Sequence, residues 1–408
     1  MTKELALKLI LYAERHNETI YKNIDAMVLF NQEKVLNSFK ENRVALRHFA
    51  GSTGYSYEDE GKHVLGKVFA GAFGSESAIV SPLIASGTHA IAIALFGLLR
   101  HGDTMLSVTS MPYDTLVPVI MGEGNGSLKD YGIKFDKVDF NKDGYLDMFA
   151  IKKALAAKPT MVFLQRSRGY AWRNSLSIAY IKKVVKLVKE ITPSSLIVVD
   201  NCYGEFTSTS EPIQVGADII VGSLIKNPGG GIAPTGGYIC GKNSLIDKIA
   251  NRLTAPGVGV EVGSYQSGYR DYFQGFFMAP HIVGEALKSS ILFATLYEKL
   301  GFEVLSPKNG TMSDIICSIK FKNCKKVIKF SQAIQGASPV DSFAAPEPWD
   351  MPGYDSKVIM AAGSFVQGAS IELSCDAPMR EPYIVHLQGA LNYAHARIAA
   401  CATLQAME

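Results

Sequence analysis

The feature that most constrains the fold is a regular alternation between residues 69 and 241, where short apolar runs are separated by segments of helical periodicity. The runs lie at 78–84, 104–108, 160–164, 196–199, 219–221 and 237–240. Strands that are covered on both faces have such continuous apolar stretches, whereas half-exposed strands alternate. The pattern therefore predicts an α/β fold with a large, mainly parallel sheet covered by helices.

Besides the large sheet domain, the sequence predicts an N-terminal arm and a small C-terminal domain. Residues 1–60 have the pattern of an N-terminal helical arm that ends in a loop of Gly, Ser and Tyr. Residues 61–300 form the large domain and end in a linker helix over 280–300, with Gly301 as its stop signal. Residues 301–408 predict a smaller α+β domain, with strands at 302–305, 313–321 and 369–374 and a last helix over 384–404.

Composition and charge narrow the class of protein. At 408 residues, with 47% hydrophobic residues, the chain can bury a large core. A net charge of +3 without any Lys- or Arg-rich block argues against a nucleic-acid partner. The longest apolar run, 90–99, is about half the ~20 residues that a membrane helix needs. Six cysteines without a C-x-x-C pair predict reduced thiols, so we expect a cytoplasmic protein with no membrane partner.

Ser86, Gly87 and Thr88 stand between an apolar run and an apolar helix. A helix N-terminus offers unpaired N–H groups to an anion, Gly87 lets the anion approach the backbone, and Thr88 adds a hydroxyl. This arrangement is typical of a phosphate site. The alternative is an ordinary turn whose hydroxyls cap the helix.

Asp200 ends one apolar run, and Lys226 follows the next run and Ser223, at the start of a glycine-rich loop. In a parallel sheet these positions meet at one edge. The alternatives are a capping aspartate and a solvated surface lysine. A buried carboxylate needs a cation, and we expect burial and a nearby cation to lower the pKa of Lys226. The set indicates pyridoxal 5'-phosphate (PLP), with Lys226 as the Schiff-base lysine and Asp200 keeping the pyridine nitrogen protonated.

Three segments resemble a known family: "VVDNCYGEF", "GSLIKNPGGGIAPTGGYI" and "YRDYFQGFFMAPH". They are similar to the methionine gamma-lyase family, also called aluminium resistance proteins, which is related to the cystathionine lyases. The resemblance runs from about Tyr55 to the C-terminus. It implies the aspartate-aminotransferase-type fold of PLP-dependent transferases, with a large mainly parallel seven-stranded-type sheet domain and a small C-terminal α+β domain. It also implies a homo-oligomer, a dimer with shared active sites that pairs into a homotetramer.

The resemblance assigns roles to individual residues. Lys226 binds PLP covalently, and Asp200 contacts the pyridine nitrogen. The implied phosphate ligands are Ser86, Gly87, Thr88 and Ser223. Tyr113 becomes the ring that stacks on the cofactor and a candidate proton donor to the leaving group. The alternative for Tyr113 is a turn aromatic that packs on the sheet.

The sequence departs from the related cystathionine-type lyases in two places. Cystathionine-type lyases carry Tyr-x-Arg in an N-terminal loop, and this chain has Tyr55-Ser56-Tyr57. We keep Tyr55 as a candidate acid or hydrogen-bond donor. The arginine motif near the C-terminus is also not reproduced, and Arg380 is the candidate for the substrate carboxylate because a guanidinium binds carboxylates with two donors. Its competitors after the run 160–164 are Arg166, Arg168 and Arg173, which equally suit a solvated loop.

Six aromatic side chains in the segment 261–277 predict a subunit interface near the site: Tyr265, Tyr269, Tyr272, Phe273, Phe276 and Phe277. The segment 139–144 begins like a calcium-binding loop, but Ala150 stands where a bidentate Glu is required. We therefore expect no metal site.

These observations predict a PLP-dependent carbon–sulfur lyase that performs β- or γ-elimination on a sulfur-containing amino acid such as cystathionine, methionine or cysteine. An aminotransferase, a β-replacement enzyme or an aldolase on the same fold is the alternative within enzymes. A non-catalytic relative linked to metal tolerance is the alternative outside them.

Overall fold

The computed structural model describes residues 1–55, 59–305, 313–351 and 356–407. The helices are α1 (Lys3–His16), α2 (Glu18–Glu41), α3 (Glu60–Phe73), α4 (Gly87–Leu98), α5 (Val117–Met121), α6 (Met148–Leu155), α7 (Ile178–Ile191), α8 (Asn243–Ala250), α9 (Arg270–Lys299), α10 (Cys324–Gly336) and α11 (Tyr393–Ala406). The strands are β1 (Ser77–Ser81), β2 (Thr104–Ser107), β3 (Lys134–Lys137), β4 (Met161–Gln165), β5 (Leu196–Asp200), β6 (Ile219–Ser223), β7 (Gly237–Gly241), β8 (Glu303–Leu305), β9 (Ile316–Lys320), β10 (Val358–Ala361), β11 (Ser374–Pro378) and β12 (Ile384–Gln388). Among the described helices, none combines the length and apolarity required to cross a bilayer.

The large sheet has seven strands in the order β1-β7-β6-β5-β4-β2-β3. Strands β2 to β6 are parallel, and β7 is antiparallel to both β6 and β1. This confirms the predicted α/β class and the mainly parallel sheet. Because β4, β5 and β6 are parallel neighbours, their last residues, Gln165, Asp200 and Ser223, lie at one edge of the sheet.

The continuous apolar character of the strands follows from cores on both faces. In β4, Val162 and Leu164 join the core beneath α3, α7 and α9, while Met161 and Phe163 join the core beneath α4 and α8. All five residues of β4 are buried. A strand between two helical layers has no solvent face, so its sequence does not alternate.

A second, fully antiparallel sheet has the order β10-β11-β12-β9-β8. Its core includes Leu292 and Phe293 from the end of α9 and residues from α10 and α11. The first helix, α1, also packs there through Ala6, Ile10 and Ala13. The boundaries predicted at residues 60 and 300 stay predictions.

Three predicted elements differ from the structure. The residues 384–388 form strand β12 rather than the start of a helix, because Val385 and Leu387 alternate into the core and Gly389 turns the chain at φ +76° before α11. The strand predicted over 369–374 begins at Ser374 as β11. Helix α9 begins at Arg270 and continues through Pro280. Because proline has no backbone N–H, the carbonyl one turn earlier lacks its helical donor, and the other turns are unaffected.

The aromatic segment does not form the predicted surface. Four of its rings are buried within this chain: Tyr269, Tyr272, Phe273 and Phe276. Phe276 stacks on Phe69 of α3 at a centroid distance of 3.7 Å, and Phe277 keeps 37% of its surface exposed. The prediction of a subunit interface is therefore wrong for most of the segment, because the start of α9 buries these rings against the large sheet.

Candidate active site

The carboxylate and the lysine predicted from sequence meet at the edge of the large sheet. Asp200 ends β5, is 3% exposed, and lies beside Val221 of the parallel strand β6. Lys226 follows β6 and begins the short 3-10 turn Asn227–Gly229. Burial raises the pKa of the Asp200 carboxyl, and the positive charge of the Lys226 ammonium opposes part of that rise. The two predicted residues therefore share one crevice.

The cations near Asp200 do not fully compensate for the burial of its carboxyl. Burial raises the pKa of its carboxyl, and the charge of Lys226 and the hydrogen bonds from Cys202 offset this only in part. One of these bonds joins the Cys202 amide to Asp200 Oδ1 at 3.1 Å. A buried carboxyl with a raised pKa is stabilised by any further cation that enters the crevice. A protonated ring nitrogen is such a cation.

The pKa of Lys226 moves against expectation. Burial lowers the pKa of the ammonium, but the attraction of Tyr203, Cys202 and Asp200 outweighs burial, and the pKa is raised. The prediction of a lowered pKa is therefore wrong for this structure, because it counted burial and ignored the acidic groups nearby. These acidic groups, Tyr203 first among them, together hold the ammonium in its charged form.

Tyr203 is a site residue that sequence reasoning missed. Lys226 Nζ lies 4.1 Å from the centre of the Tyr203 ring, within the range of a cation–π contact. The Tyr203 hydroxyl is 2.9 Å from Ser370 Oγ, which ties the ring to the segment before β11. The backbone of Tyr203 has φ +70°, an uncommon value for a residue with a side chain. The sequence signal that could have identified Tyr203 is its position three residues after Asp200.

The N-terminus of α4 lies against the end of β6. Ser86 caps α4, since its Oγ accepts a hydrogen bond from the His89 amide at 3.1 Å. A Cβ atom at Gly87 would lie 3.3 Å from the Cβ of Ser223 and 3.4 Å from Cys202 Sγ. The predicted residues 86–88 and Ser223 are thus brought together. First-turn N–H groups beside two hydroxyl residues fit a phosphate.

Tyr113 completes the same crevice. Its hydroxyl is 2.9 Å from Thr88 Oγ1, and its amide donates to Gln165 Oε1 at 2.9 Å. Burial and the negative charge of Asp200 raise the pKa of the phenol, so the hydroxyl stays protonated at neutral pH. Tyr113 is therefore held between Thr88 of α4 and Gln165 at the end of β4. The family resemblance expects a stacking ring at this position.

Arg166 is held in internal contacts. Its guanidinium is fully buried and pairs with Glu211 at 3.6 Å, and it donates to Asn201 Oδ1 at 2.8 Å and to Thr207 Oγ1 at 3.2 Å. The Leu176 carbonyl accepts from its Nε. With its donors already used inside the protein, Arg166 is an unsuitable partner for a substrate carboxylate.

Its two neighbours are also bound within the chain. Arg168 makes a two-donor contact with Asp314, with both distances at 3.1 Å, and donates to the Leu305 carbonyl at 2.8 Å. Arg173 donates to the Asn174 carbonyl and lies over the Phe140 ring at 4.5 Å. The alternative of a solvated loop is wrong for all three arginines, because contacts within the chain bury their side chains.

Arg380 and Tyr55 remain accessible. Arg380 is exposed two residues after β11, and its charge acts on His386 of β12. Tyr55 is 74% exposed and pairs through its backbone with Val262. Their proposed contacts with substrate stay predictions. Ser56 and Tyr57 lie outside the described residues.

A second missed group comes from the small sheet. Asp376 of β11 receives a hydrogen bond from Gln388 Nε2 at 3.1 Å and another from Tyr170, and the charge of Lys226 acts on it. Sequence reasoning missed Asp376 because the predicted strand over 369–374 ended before it. In the observed strand β11, side chains alternate between the faces, and Asp376 lies on the face opposite the core. The small sheet therefore carries a carboxyl on which the charge of Lys226 acts.

Lysine, buried carboxylate, helix N-terminus and tyrosine together fit PLP, and the fold and site define an enzyme of the aspartate-aminotransferase type. A PLP-dependent protein of Escherichia coli, YhfS, has the same fold, with a TM-score of 0.65 at 16% identity over 94% of this chain and 96% of its own. The methionine gamma-lyase family model matches residues 6–408. The chain belongs to this family, as its sequence motifs indicated.

Two relatives are similar over nearly their whole length. Protein YnbB of Bacillus subtilis is 46% identical across 99% of this chain and 97% of its own. A carbon–sulfur lyase involved in aluminium resistance from Clostridium novyi is 49% identical, with a TM-score of 0.94 over 98% of this chain and 95% of its own. Family and fold thus indicate a PLP-dependent enzyme.

Proposed function

We propose that this chain is a carbon–sulfur lyase that releases a thiol from a sulfur-containing amino acid by β- or γ-elimination. The observation that carries the proposal is the meeting of Lys226 and Asp200 at the ends of β6 and β5, beside the N-terminus of α4. The family match and the carbon–sulfur lyase of Clostridium novyi support it.

Each residue has a task in this proposal. PLP, bound covalently to Lys226, supplies the electron sink for carbanion chemistry. Asp200 holds a proton on the ring nitrogen, while the first turn of α4 and Ser223 bind the phosphate. The amine of Lys226 would serve as the base for the α-proton of the substrate. Tyr113, protonated and fixed by Thr88, donates a proton to the leaving sulfur, and exposed Arg380 binds the substrate carboxylate.

The attachment site is tested by reduction and peptide mapping. Wild-type protein incubated with PLP should gain a visible absorbance band, and borohydride treatment should leave a pyridoxyl group on the peptide that contains Lys226. Lys226→Ala should lose both signals, while Lys242→Ala, an exposed lysine that pairs with Asp218, should retain them. A label on another lysine would contradict the assignment.

The reaction is tested with candidate substrates. Cystathionine, L-methionine and L-cysteine are incubated with the holoenzyme, and thiol, ammonia and keto acid are measured with and without an added keto-acid acceptor. Elimination predicts thiol and keto acid in equal amounts without acceptor. Keto acid that appears only with acceptor, and without thiol, would indicate a transaminase. Homotetramer formation and cytoplasmic location remain predictions.

A further inference from the structure

The turn that follows β5 directs a backbone amide back to Asp200. The Asn201 amide donates to the Val221 carbonyl at 2.9 Å, and the Gly204 amide donates to the Asn201 carbonyl at the same distance. Between these two bonds, the Cys202 amide donates to Asp200 Oδ1 at 3.1 Å. An aspartate whose carboxyl accepts from the amide two residues later forms an Asx turn. The backbone of the turn thus fixes one oxygen of the carboxylate.

The Cys202 side chain adds a second contact to the same carboxyl. Burial raises the pKa of the Asp200 carboxyl, and a hydrogen bond with the Cys202 thiol is among the contacts that oppose this rise. Burial also raises the pKa of the thiol well above its usual range, so the sulfur keeps the proton that it donates. An Asx turn uses only the amide of its third residue. The thiol is therefore a donor beyond what the turn requires.

The same sulfur borders the proposed phosphate site. A Cβ atom at Gly87 would lie 3.4 Å from Cys202 Sγ and 3.3 Å from the Cβ of Ser223. Gly87 is the first residue of α4. Cys202 is 5% exposed, so its sulfur packs among protein groups rather than facing solvent. One side chain thus contacts Asp200 and lies against the first turn of α4.

The proposed function requires a definite direction of the Asp200 carboxylate. A carboxylate binds a protonated ring nitrogen well only when one of its oxygens lies near the line of the N–H bond. Lys226 acts on Asp200 through its charge, and a charge interaction depends on distance rather than on direction. Hydrogen bonds are directional, and bonds to the ionised form keep a carboxylate ionised. The two donors of Cys202 meet this requirement.

We propose that Cys202 is a positioning residue whose amide and thiol hold the Asp200 carboxylate in the orientation that receives the ring nitrogen of the cofactor. Cys202 acts through Asp200, and its sulfur takes no part in making or breaking covalent bonds. The identity of the cofactor rests on the proposed function. The contact between Cys202 and Asp200 belongs to the protein alone and can be tested without cofactor.

The first test compares two cofactors that differ at one ring atom. 1-Deaza-PLP carries a C–H group where PLP has its ring nitrogen, so it gains no hydrogen bond from Asp200. Each compound is titrated into apoprotein, and its change in absorbance is followed. In Cys202→Ala the dissociation constant for PLP should rise by about tenfold, because a hydrogen bond to a charged group is lost. The constant for 1-deaza-PLP should stay within about twofold of wild type, because Asp200 does not bind that ring.

Two further variants complete the comparison. Cys202→Ser keeps a donor at the same position, so its affinity for both cofactors should stay within about threefold of wild type. Cys240→Ala removes another buried thiol of the large sheet and should bind both cofactors like wild type. Equal weakening of both cofactors in Cys202→Ala would overturn the proposal, since Cys202 would then only fill space. An unchanged affinity of Cys202→Ala for PLP would overturn it as well.

The infrared S–H stretch gives a second readout that needs no cofactor. Its frequency falls when the thiol donates a hydrogen bond, and subtracting the spectrum of the matching Cys202→Ala protein isolates the band of Cys202. In Asp200→Ala the acceptor is gone, so this band should move to higher frequency, and an unmoved band would overturn the proposal. A wild-type protein that gains no visible band with PLP would instead overturn the proposed function. The infrared spectra would still decide whether Cys202 donates to Asp200, which separates the two failures.

Discussion

The fully buried ion pair between Arg166 and Glu211 gives a prediction at the scale of single residues. Removing Arg166 leaves the Glu211 carboxylate without its cation in the core, so Arg166→Ala should lower the free energy of unfolding by about 3–5 kcal/mol. Arg166→Met with Glu211→Leu should recover much of the loss. Urea unfolding of the holoenzyme measures both. A variant of full stability with only a raised KM would restore Arg166 as a substrate ligand.

Glu205 predicts a pH dependence of stability. Burial raises its pKa to about 8 from an ordinary 4.5, and its Oε1 accepts from the Tyr238 hydroxyl at 2.7 Å. The folded protein therefore binds a proton that the unfolded chain releases above its lower pKa. The stability that this adds is fully present below about pH 4.5 and is lost as pH rises through about 8.

Glu205→Gln cannot ionise and should lose this dependence. Relative to wild type, its free energy of unfolding should rise by a few kcal/mol, on the order of the shift in pKa, between pH 5 and pH 9. Glu303→Gln is the control, because the pKa of Glu303, lowered to about 2 by Lys320 and Lys322, keeps its titration below this window. Parallel curves for wild type and Glu205→Gln in urea would contradict the prediction.

At the scale of elements, α9 supports the loop that carries Lys226. A Cβ atom at Gly275 would overlap the carbonyl oxygen of Gly229, and one at Gly284 would overlap Val28 of α2. Both Gly→Ala changes should destabilise the protein by about 1–3 kcal/mol. Only Gly275→Ala should also weaken PLP binding, because it displaces the turn next to Lys226. Titrating each variant with PLP and following the visible absorbance band compares their affinities. Equal PLP affinity in the two variants would refute the role of α9 in supporting the Lys226 loop.

At the scale of the whole molecule, Arg168 joins the two sheets. Asp314→Asn breaks its buried two-donor contact and should cost about 3–5 kcal/mol. The chain has two tryptophans, and Trp172 lies beneath Lys320 of the small sheet at 4.2 Å. In a Trp349→Phe background its fluorescence reports separation of the sheets.

In the Asp314→Asn variant, the fluorescence of Trp172 should change at a lower urea concentration than the helical circular dichroism signal. Asp139→Asn, which breaks the exposed pair with Lys137, should leave both transitions close to those of wild type, since exposed pairs contribute little. Coincident transitions in Asp314→Asn would show that Arg168 does not control the contact between the sheets.

How far the sequence predicts this molecule depends on the range of the interactions involved. Asp200, Ser223 and Lys226 could be placed because they follow apolar strands, and neighbouring parallel strands end at one edge. Arg166 could not, because its partner Glu211 lies in a loop whose path depends on tertiary packing. Strand β12 was mistaken for a helix because five residues carry too little periodicity to distinguish the two.

Helix α9 belongs to both hydrophobic cores: its residues up to Ile291 pack under the large sheet, and those from Leu292 pack under the small one. Its 30 residues form a rod of roughly 45 Å. Any rotation of the small sheet relative to the large one must therefore bend this rod or melt one of its turns. Such stiffness confines the mouth of the crevice beside Lys226 to small, elastic excursions between turnovers.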